Sequence, residues 1–143
     1  MRFRVLKDES MADVALEAFG KTESELFENA AFALFEQMAD TKKIGKSQKS
    51  RIAVKDPDLE RLLYGFLSDI VFRKDTERTV FSAIEAKVFK KGGEWIGQAL
   101  LTGQKVADVL PSVLRTDVKA VTFYGFKISK TKSGLKVKIV LDI

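Results

Sequence analysis

The chain has 143 residues, of which 45% are hydrophobic and 31% charged, with a net charge of +5 and neither histidine nor cysteine. The absence of cysteine excludes disulfides, zinc–thiolate sites and thiol nucleophiles. The absence of histidine removes the commonest general base and the commonest transition-metal ligand. The length predicts one domain with a buried core.

The chain shows no sign of membrane insertion or export. No apolar run approaches the roughly 18 residues of a membrane span, and no signal peptide is recognisable. We therefore expect a cytoplasmic location and no membrane partner. The positive charge permits contact with RNA or an acidic protein but does not specify either.

The first part of the chain predicts two strands and a helix. A short strand is expected at 3–6, and alternating polarity over 13–19 predicts a second. Thr22 and Glu25 form a capping box, so a helix should follow and end near Met38. Its apolar stripe contains Leu26, Ala30, Leu34 and Met38, widened by Phe27, Ala31 and Phe35.

A second helix is predicted after a polar stretch. Residues 40–49 indicate a lysine-rich loop, and 51–55 a short strand. Asp56 is expected to cap the helix, with Pro57 in its first position and an end near Arg73. The apolar face contains Leu59, Leu62, Leu63, Phe66, Leu67, Ile70 and Val71. The loop lysines are interpreted as solvated rather than as an RNA patch: Lys42, Lys43, Lys46 and Lys49.

The second half favours strands. Residues 80–89 alternate, with Val80, Ser82, Ile84, Ala86 and Val88 expected on one side. A Gly92-Gly93 turn leads to a partner strand at 95–101. After an irregular stretch over 104–114, residues 118–129 and 135–143 should form a closing hairpin. Together these elements predict an α+β fold, with two amphipathic helices packed on an antiparallel or mixed β-sheet in a single domain.

The last strand carries an acidic residue on its polar side. By strand parity, Asp142 and Asp13 both lie opposite the apolar rows of their strands. If these strands pair antiparallel, Asp13, Asp142 and the terminal carboxylate of Ile143 can converge. Such a cluster repels itself unless a hard cation such as calcium neutralises it. The alternative is a solvated aspartate and a frayed chain end.

A predicted strand that is rich in aromatic residues leaves RNA binding open as a function of this chain. Residues 121–127 combine Phe123, Tyr124 and Phe126 with Lys127, faintly like a base-stacking strand. The alternative is that these rings alternate into the core. Neither a nucleophile elbow nor a glycine-rich phosphate loop is present, so we do not expect catalysis by this chain alone.

Several runs in sequence order carry a family resemblance. They are Ala12-Asp13-Val14 leading to Gly20-Lys21-Thr22, Glu25-Leu26-Phe27-Glu28-Asn29-Ala30-Ala31, Leu62-Leu63-Tyr64 with Phe66-Leu67, Val118-Lys119-Ala120-Val121-Thr122, and Asp142-Ile143. Their combination closely resembles the archease family over nearly the whole chain. The resemblance implies an α+β fold with a metal site, usually described as calcium-binding. It also implies a non-enzymatic protein cofactor of the RtcB-type RNA-splicing ligase.

The resemblance also implies a mechanism and its residues. The ligase joins a 2′,3′-cyclic phosphate or 3′-phosphate to a 5′-hydroxyl through its own guanylylated histidine, and archease promotes guanylylation and repeated turnover. RNA is then an indirect partner. The implied metal ligands are Asp13, Asp142 and Ile143, the last through its main chain or terminal carboxylate. Lys119 is implied as a functional residue contacting the partner or nucleotide.

Two other functions remain open. The family is also associated with a chaperone-like modulation of RNA- or DNA-modifying enzymes such as methyltransferases. A small RNA-binding module would instead use the basic loops and the aromatic strand.

The chain departs from the family pattern at two histidines. The usual Glu-His-Thr-Ala-Asp is Glu9-Ser10-Met11-Ala12-Asp13 here, and the usual Ala-Val-Thr-Tyr-His is Ala120-Val121-Thr122-Phe123-Tyr124. Ser10 and Tyr124 therefore replace both imidazoles, whereas the carboxylates remain. A metal site in this chain is expected to use oxygen ligands, which hard cations prefer.

Overall fold

The computed structural model describes residues 1–6 and 13–143, so the motif residues Glu9, Ser10, Met11 and Ala12 lie outside the described residues. The described residues form seven strands and two helices: β1 Phe3–Val5, β2 Asp13–Gly20, α1 Glu23–Met38, β3 Gln48–Asp56, α2 Leu59–Glu77, β4 Thr79–Lys91, β5 Glu94–Lys105, β6 Ala120–Thr131 and β7 Gly134–Asp142. Single 3-10 turns occupy Thr41–Lys43, Val106–Asp108 and Pro111–Val113. Neither described helix combines the length and the apolar character needed to span a membrane.

The strands form two antiparallel sheets. One has the order β1-β2-β7-β6 and the other the order β3-β5-β4. The predicted closing hairpin is confirmed as β6 and β7, and β7 also pairs with β2. The predicted α+β fold with helices on antiparallel sheet is confirmed, and its strands are divided between two sheets.

The two helices connect the sheets. α1 packs against β2 and β4, whereas α2 packs against β6 and β3. The predicted apolar stripes of both helices are buried except for Leu59, which is partly buried against the core. The Phe27 and Phe66 rings meet at a centroid distance of 5.2 Å. Burying one such side chain contributes about 1.5–3 kcal/mol. One core therefore holds both sheets in place.

The start of α1 follows the predicted capping box. The Thr22 hydroxyl accepts a hydrogen bond from the Glu25 N–H at 3.2 Å. The Glu25 carboxylate in turn accepts from the Lys21 N–H at 3.1 Å. Just before the cap, a Cβ at Gly20 would lie 2.3 Å from the Leu26 nitrogen. Only glycine admits so close an approach between β2 and α1.

The predicted start and end of α2 were wrong. The cap is Asp58, whose carboxylate accepts from the Arg61 N–H at 3.0 Å. Asp56 instead accepts from the Asp58 N–H at 2.8 Å, which holds the turn that contains Pro57. The helix continues beyond Arg73 to Glu77 and is capped by Arg78, which adopts a left-handed conformation with φ 49.

Two further predictions need correction. The segment 40–49 is not all loop, since it contains the turn Thr41–Lys43 and the beginning of β3, although its four lysines are exposed as predicted. Val80 and Ile84 do not share one face. A bulge between Phe81 and Ala83 shifts the register, so Phe81 joins the core that Ile84 contacts, and Val80 packs in a separate small cluster.

Candidate functional site

One end of the four-stranded sheet brings the predicted carboxylates together. In the register of β2 and β7, Asp13 lies directly opposite Asp142. Opposed residues of antiparallel strands project from the same face, with Cβ atoms about 4.5–5.5 Å apart. Ile143 packs partly buried against the main core, so the strand end is held in place rather than frayed. We call Asp13, Asp142 and Ile143 the acidic end.

Lys119 lies beside the acidic end. β6 pairs with the other side of β7, where Ala120 lies opposite Asp142. The Lys119 N–H donates to the main-chain oxygen of Asp142 at 2.8 Å, and the Lys119 side chain is exposed. Three neighbouring strands therefore position the two aspartates and this lysine at one sheet end.

A buried lysine that the sequence reasoning missed anchors the entry to β6. The Lys74 ammonium group donates to the Asp117 carboxylate at 2.7 Å and to the Val118 carbonyl at 2.9 Å. It also forms an ion pair with Asp75 at 2.9 Å. Burial alone would lower the pKa of Lys74, but the hydrogen bonds and charges of Asp117 and Asp75 outweigh it and raise the pKa.

The sequence does contain a signal for this anchor. Lys74 follows Ile70 by four residues and Val71 by three, which places it on the apolar face of α2. A lysine on such a face is either extended towards solvent or paired inside the protein. The signal indicates a buried lysine but cannot identify Asp117 as its partner, because 43 residues separate the two.

The donors of the acidic end suit a hard cation. Carboxylate and main-chain oxygens are the ligands that calcium prefers, at about six to eight per ion. Within residues 1–6 and 13–143 there is no group of three or more His, Cys, Asp or Glu residues that could hold a metal ion. The described side chains thus supply two carboxylates, and an ion would need main-chain, water or partner oxygens in addition.

The aromatic strand forms a bulge near the acidic end. The pairing of β6 with β7 is interrupted between Thr122 and Lys127. Gly125 within this segment has φ 62, a left-handed conformation that glycine adopts without strain. Phe123 is 48% exposed and Tyr124 77% exposed. The bulge therefore presents two aromatic rings to solvent.

The prediction that these aromatics belong to the core is right for one ring and wrong for two. Phe126 is buried, and the exposed Phe123 ring stacks on it at a centroid distance of 5.6 Å. Tyr64 of α2 contacts the Phe123 ring edge-on at 4.9 Å. Tyr124 projects from the bulge into solvent. Strict alternation fails here because the bulge changes which side chains face inward.

An open groove of about 760 Å³ adjoins the Lys74 anchor. Its charged lining residues include Lys74, Asp75, Glu77, Arg78, Lys105, Asp108, Arg115 and Asp117. Because residues of both charges line the groove, it does not indicate a ligand of one charge.

The fold and the sheet end define a small α+β protein with two antiparallel sheets and two aspartates opposed in register. The sequence matches the Archease protein family (MTH1598/TM1083) over residues 3–143, and the chain therefore belongs to the archease family. Protein archease of Methanosarcina barkeri is 38% identical over 133 residues, covering 92% of this chain and 90% of that protein. Protein archease of Archaeoglobus fulgidus is 30% identical over 143 residues and covers 100% of both chains.

Solved structures agree with this assignment. The solution structure of Methanobacterium thermoautotrophicum protein 1598 superposes with a TM-score of 0.87, at 30% identity, over 99% of both chains. The crystal structure of an archease from Thermotoga maritima, described as a possible chaperone, has a TM-score of 0.64 at 20% identity over 96% of both chains. At that identity, the second comparison shows a common fold alone.

Proposed function

We propose that this protein is a non-enzymatic cofactor of an RtcB-type RNA-splicing ligase and acts through a divalent cation, calcium first, held at the acidic end. Family membership supports the ligase role. The observation that carries the cation site is the register of β2 and β7, which sets Asp13 opposite Asp142. Two opposed carboxylates repel each other, and a bound cation relieves that repulsion.

Each residue of the acidic end has a role in this proposal. Asp13 and Asp142 would hold the ion through carboxylate oxygens, and Ile143 would add an oxygen of its main chain or terminal carboxylate. The exposed ammonium group of Lys119 contacts the nucleotide or the ligase beside them. A divalent ion supplies positive charge that neutralises phosphate during guanylylation of the ligase. Because sheet strands carry these groups, their spacing is set before the partner binds.

The chemistry itself belongs to the ligase. This chain contains no histidine and no cysteine, so it has neither the histidine that is guanylylated nor a thiol nucleophile. An ion at the acidic end would need further oxygens from water, the partner or the nucleotide, since two aspartates supply fewer than the roughly six to eight oxygens that calcium prefers. RNA is then contacted through the ligase rather than by this protein alone.

Multiple-turnover ligation by the cognate ligase, with and without this protein, tests the proposal. The double variant Asp13→Asn, Asp142→Asn keeps side-chain size and removes both charges. We expect it to lower the turnover rate by about tenfold or more, since even residues that only support metal ligands cost 10–100-fold when changed. The rate of the first turnover by pre-guanylylated ligase should not change.

A matched control uses an exposed aspartate away from the acidic end. Asp108 lies in the turn Val106–Asp108, and Asp108→Asn makes the same chemical change. This variant should stimulate turnover as the unchanged protein does. Full stimulation by the double variant would refute the metal-dependent mechanism, whereas absence of stimulation by the unchanged protein would refute the ligase role itself.

A further inference from the structure

Lys74 is a buried cation with three oxygen partners. It is 8% exposed and the one charged side chain classed as buried in residues 1–6 and 13–143. Burying an ammonium group is unfavourable unless it is paired and hydrogen-bonded. Its ammonium group donates hydrogen bonds to Asp117 and Val118 and forms an ion pair with Asp75. A buried charge with these partners holds them in a fixed geometry.

The partners of Lys74 belong to the segment that leads to the acidic end. Val118 is fully buried, and the next residue, Lys119, donates its N–H to the Asp142 main-chain oxygen at 2.8 Å. The start of the segment is tied to the end of α1, because the Arg115 N–H donates to the Met38 carbonyl at 2.8 Å. The Thr116 N–H also donates to the Gln37 carbonyl at 3.0 Å, and Lys74 contacts the two residues between these attachments and Lys119.

We propose that Lys74 is a positioning residue for the acidic end: by holding the Asp117 carboxylate and the Val118 carbonyl, it fixes the Lys119 N–H against Asp142 and thereby the spacing of Asp142 from Asp13. The part of this inference that concerns metal affinity rests on the proposed function. The part that concerns the Lys119–Asp142 hydrogen bond does not. Residues that orient metal ligands without touching the metal typically change affinity by 10–100-fold.

Lys74→Met is the variant that tests this inference, because it keeps an apolar stem of similar length and removes the ammonium group. Amide hydrogen exchange, followed residue by residue by NMR in the metal-free protein, reports the Lys119 N–H directly. We expect its exchange to accelerate at least about tenfold, with little change at the amides of β3 and β5. Calcium titration by calorimetry should show affinity weakened by about tenfold or more.

A control separates positioning from general loss of stability. Ile52→Ala removes a buried side chain from β3, in the three-stranded sheet. At a temperature where both variants are equally folded, Ile52→Ala should keep calcium affinity and local protection of the Lys119 N–H. If Lys74→Met does not fold, Asp117→Asn is the milder variant, since Asp117 is mostly exposed. Asp117→Asn should accelerate hydrogen exchange of the Lys119 N–H to a smaller extent.

The outcomes distinguish this inference from the proposed function. The inference is overturned if the exchange rate of the Lys119 N–H is unchanged in Lys74→Met. It is also overturned if Lys74→Met and Ile52→Ala lose calcium affinity equally. Faster exchange at Lys119 in a protein that never binds calcium supports the anchoring role and refutes the proposed cation site. Faster exchange together with selective loss of calcium affinity supports both.

Discussion

The ionisation of Lys74 contributes to stability in a pH-dependent way. Its pKa is raised in the folded protein, because Asp117 and Asp75 outweigh the effect of burial. A group with a raised folded pKa stabilises the fold below its unfolded pKa of about 10.4, and this contribution is lost as pH rises through the folded pKa. The ion pairs of Lys74 therefore support the fold at neutral and mildly alkaline pH.

We predict that the difference in unfolding free energy between the unchanged protein and Lys74→Met depends on pH. This difference should be about 1 kcal/mol larger at about pH 8 than at about pH 11.5, with the size limited because both aspartates are mostly exposed. Urea denaturation at the two pH values measures it. A difference that stays constant across this range would show that the ammonium charge contributes nothing.

At the residue scale, the sequence predicts that Asp13 and Asp142 meet, but it does not predict the Lys74 anchor. Strand parity and an assumed antiparallel pairing were enough to suggest that Asp13 and Asp142 meet, and their register confirms the pairing. The Lys74 anchor depends on α2 lying along β6, which also brings the Glu60 carboxylate to the Ile128 N–H at 2.7 Å. No local pattern specifies this packing of distant elements.

Among the elements, the helix interiors were predictable and the helix ends were less so. Periodicity of 3.6 residues identifies the buried faces of α1 and α2 without knowledge of the fold. The start of α2 has two candidate aspartates, Asp56 and Asp58, either of which satisfies the preference for a carboxylate at the cap. Which of the two aspartates caps α2 depends on backbone geometry. The register shifts in β4 and β6 likewise depend on pairing with a neighbouring strand.

The corrected cap can be tested with two matched substitutions. Asp58→Ala removes the acceptor of the Arg61 N–H and should destabilise the protein by about 1 kcal/mol. Asp56→Ala leaves the helix cap in place and removes one exposed turn hydrogen bond, so its effect should be smaller. Urea denaturation of both variants gives the comparison. A larger loss of stability in Asp56→Ala than in Asp58→Ala would show that Asp56 caps the helix.

In the whole molecule, the acidic end exists because long-range pairing completes the four-stranded sheet. Asp13 and Asp142 come from opposite parts of the sequence, and β2 and β7, which carry them, pair with each other and contribute to the common core. In the unfolded chain the two aspartates are far apart, so a cation held between them as proposed would bind the folded state in preference. Such binding would be linked to folding, and a ligand that binds only the folded state raises its stability.

This linkage makes thermal unfolding a test of the cation site that needs no partner. Calcium at about 100 times its Kd should stabilise the folded protein by about 2.7 kcal/mol, which raises Tm by roughly 5–10 °C for a chain of this size. The double variant Asp13→Asn, Asp142→Asn should show no calcium-dependent rise, whereas Asp108→Asn should respond fully. Differential scanning calorimetry with calcium and with chelator provides the measurement. An equal calcium-dependent rise in Tm of the double variant would show that calcium stabilises the protein through other carboxylates, because this variant lacks both aspartate charges of the acidic end.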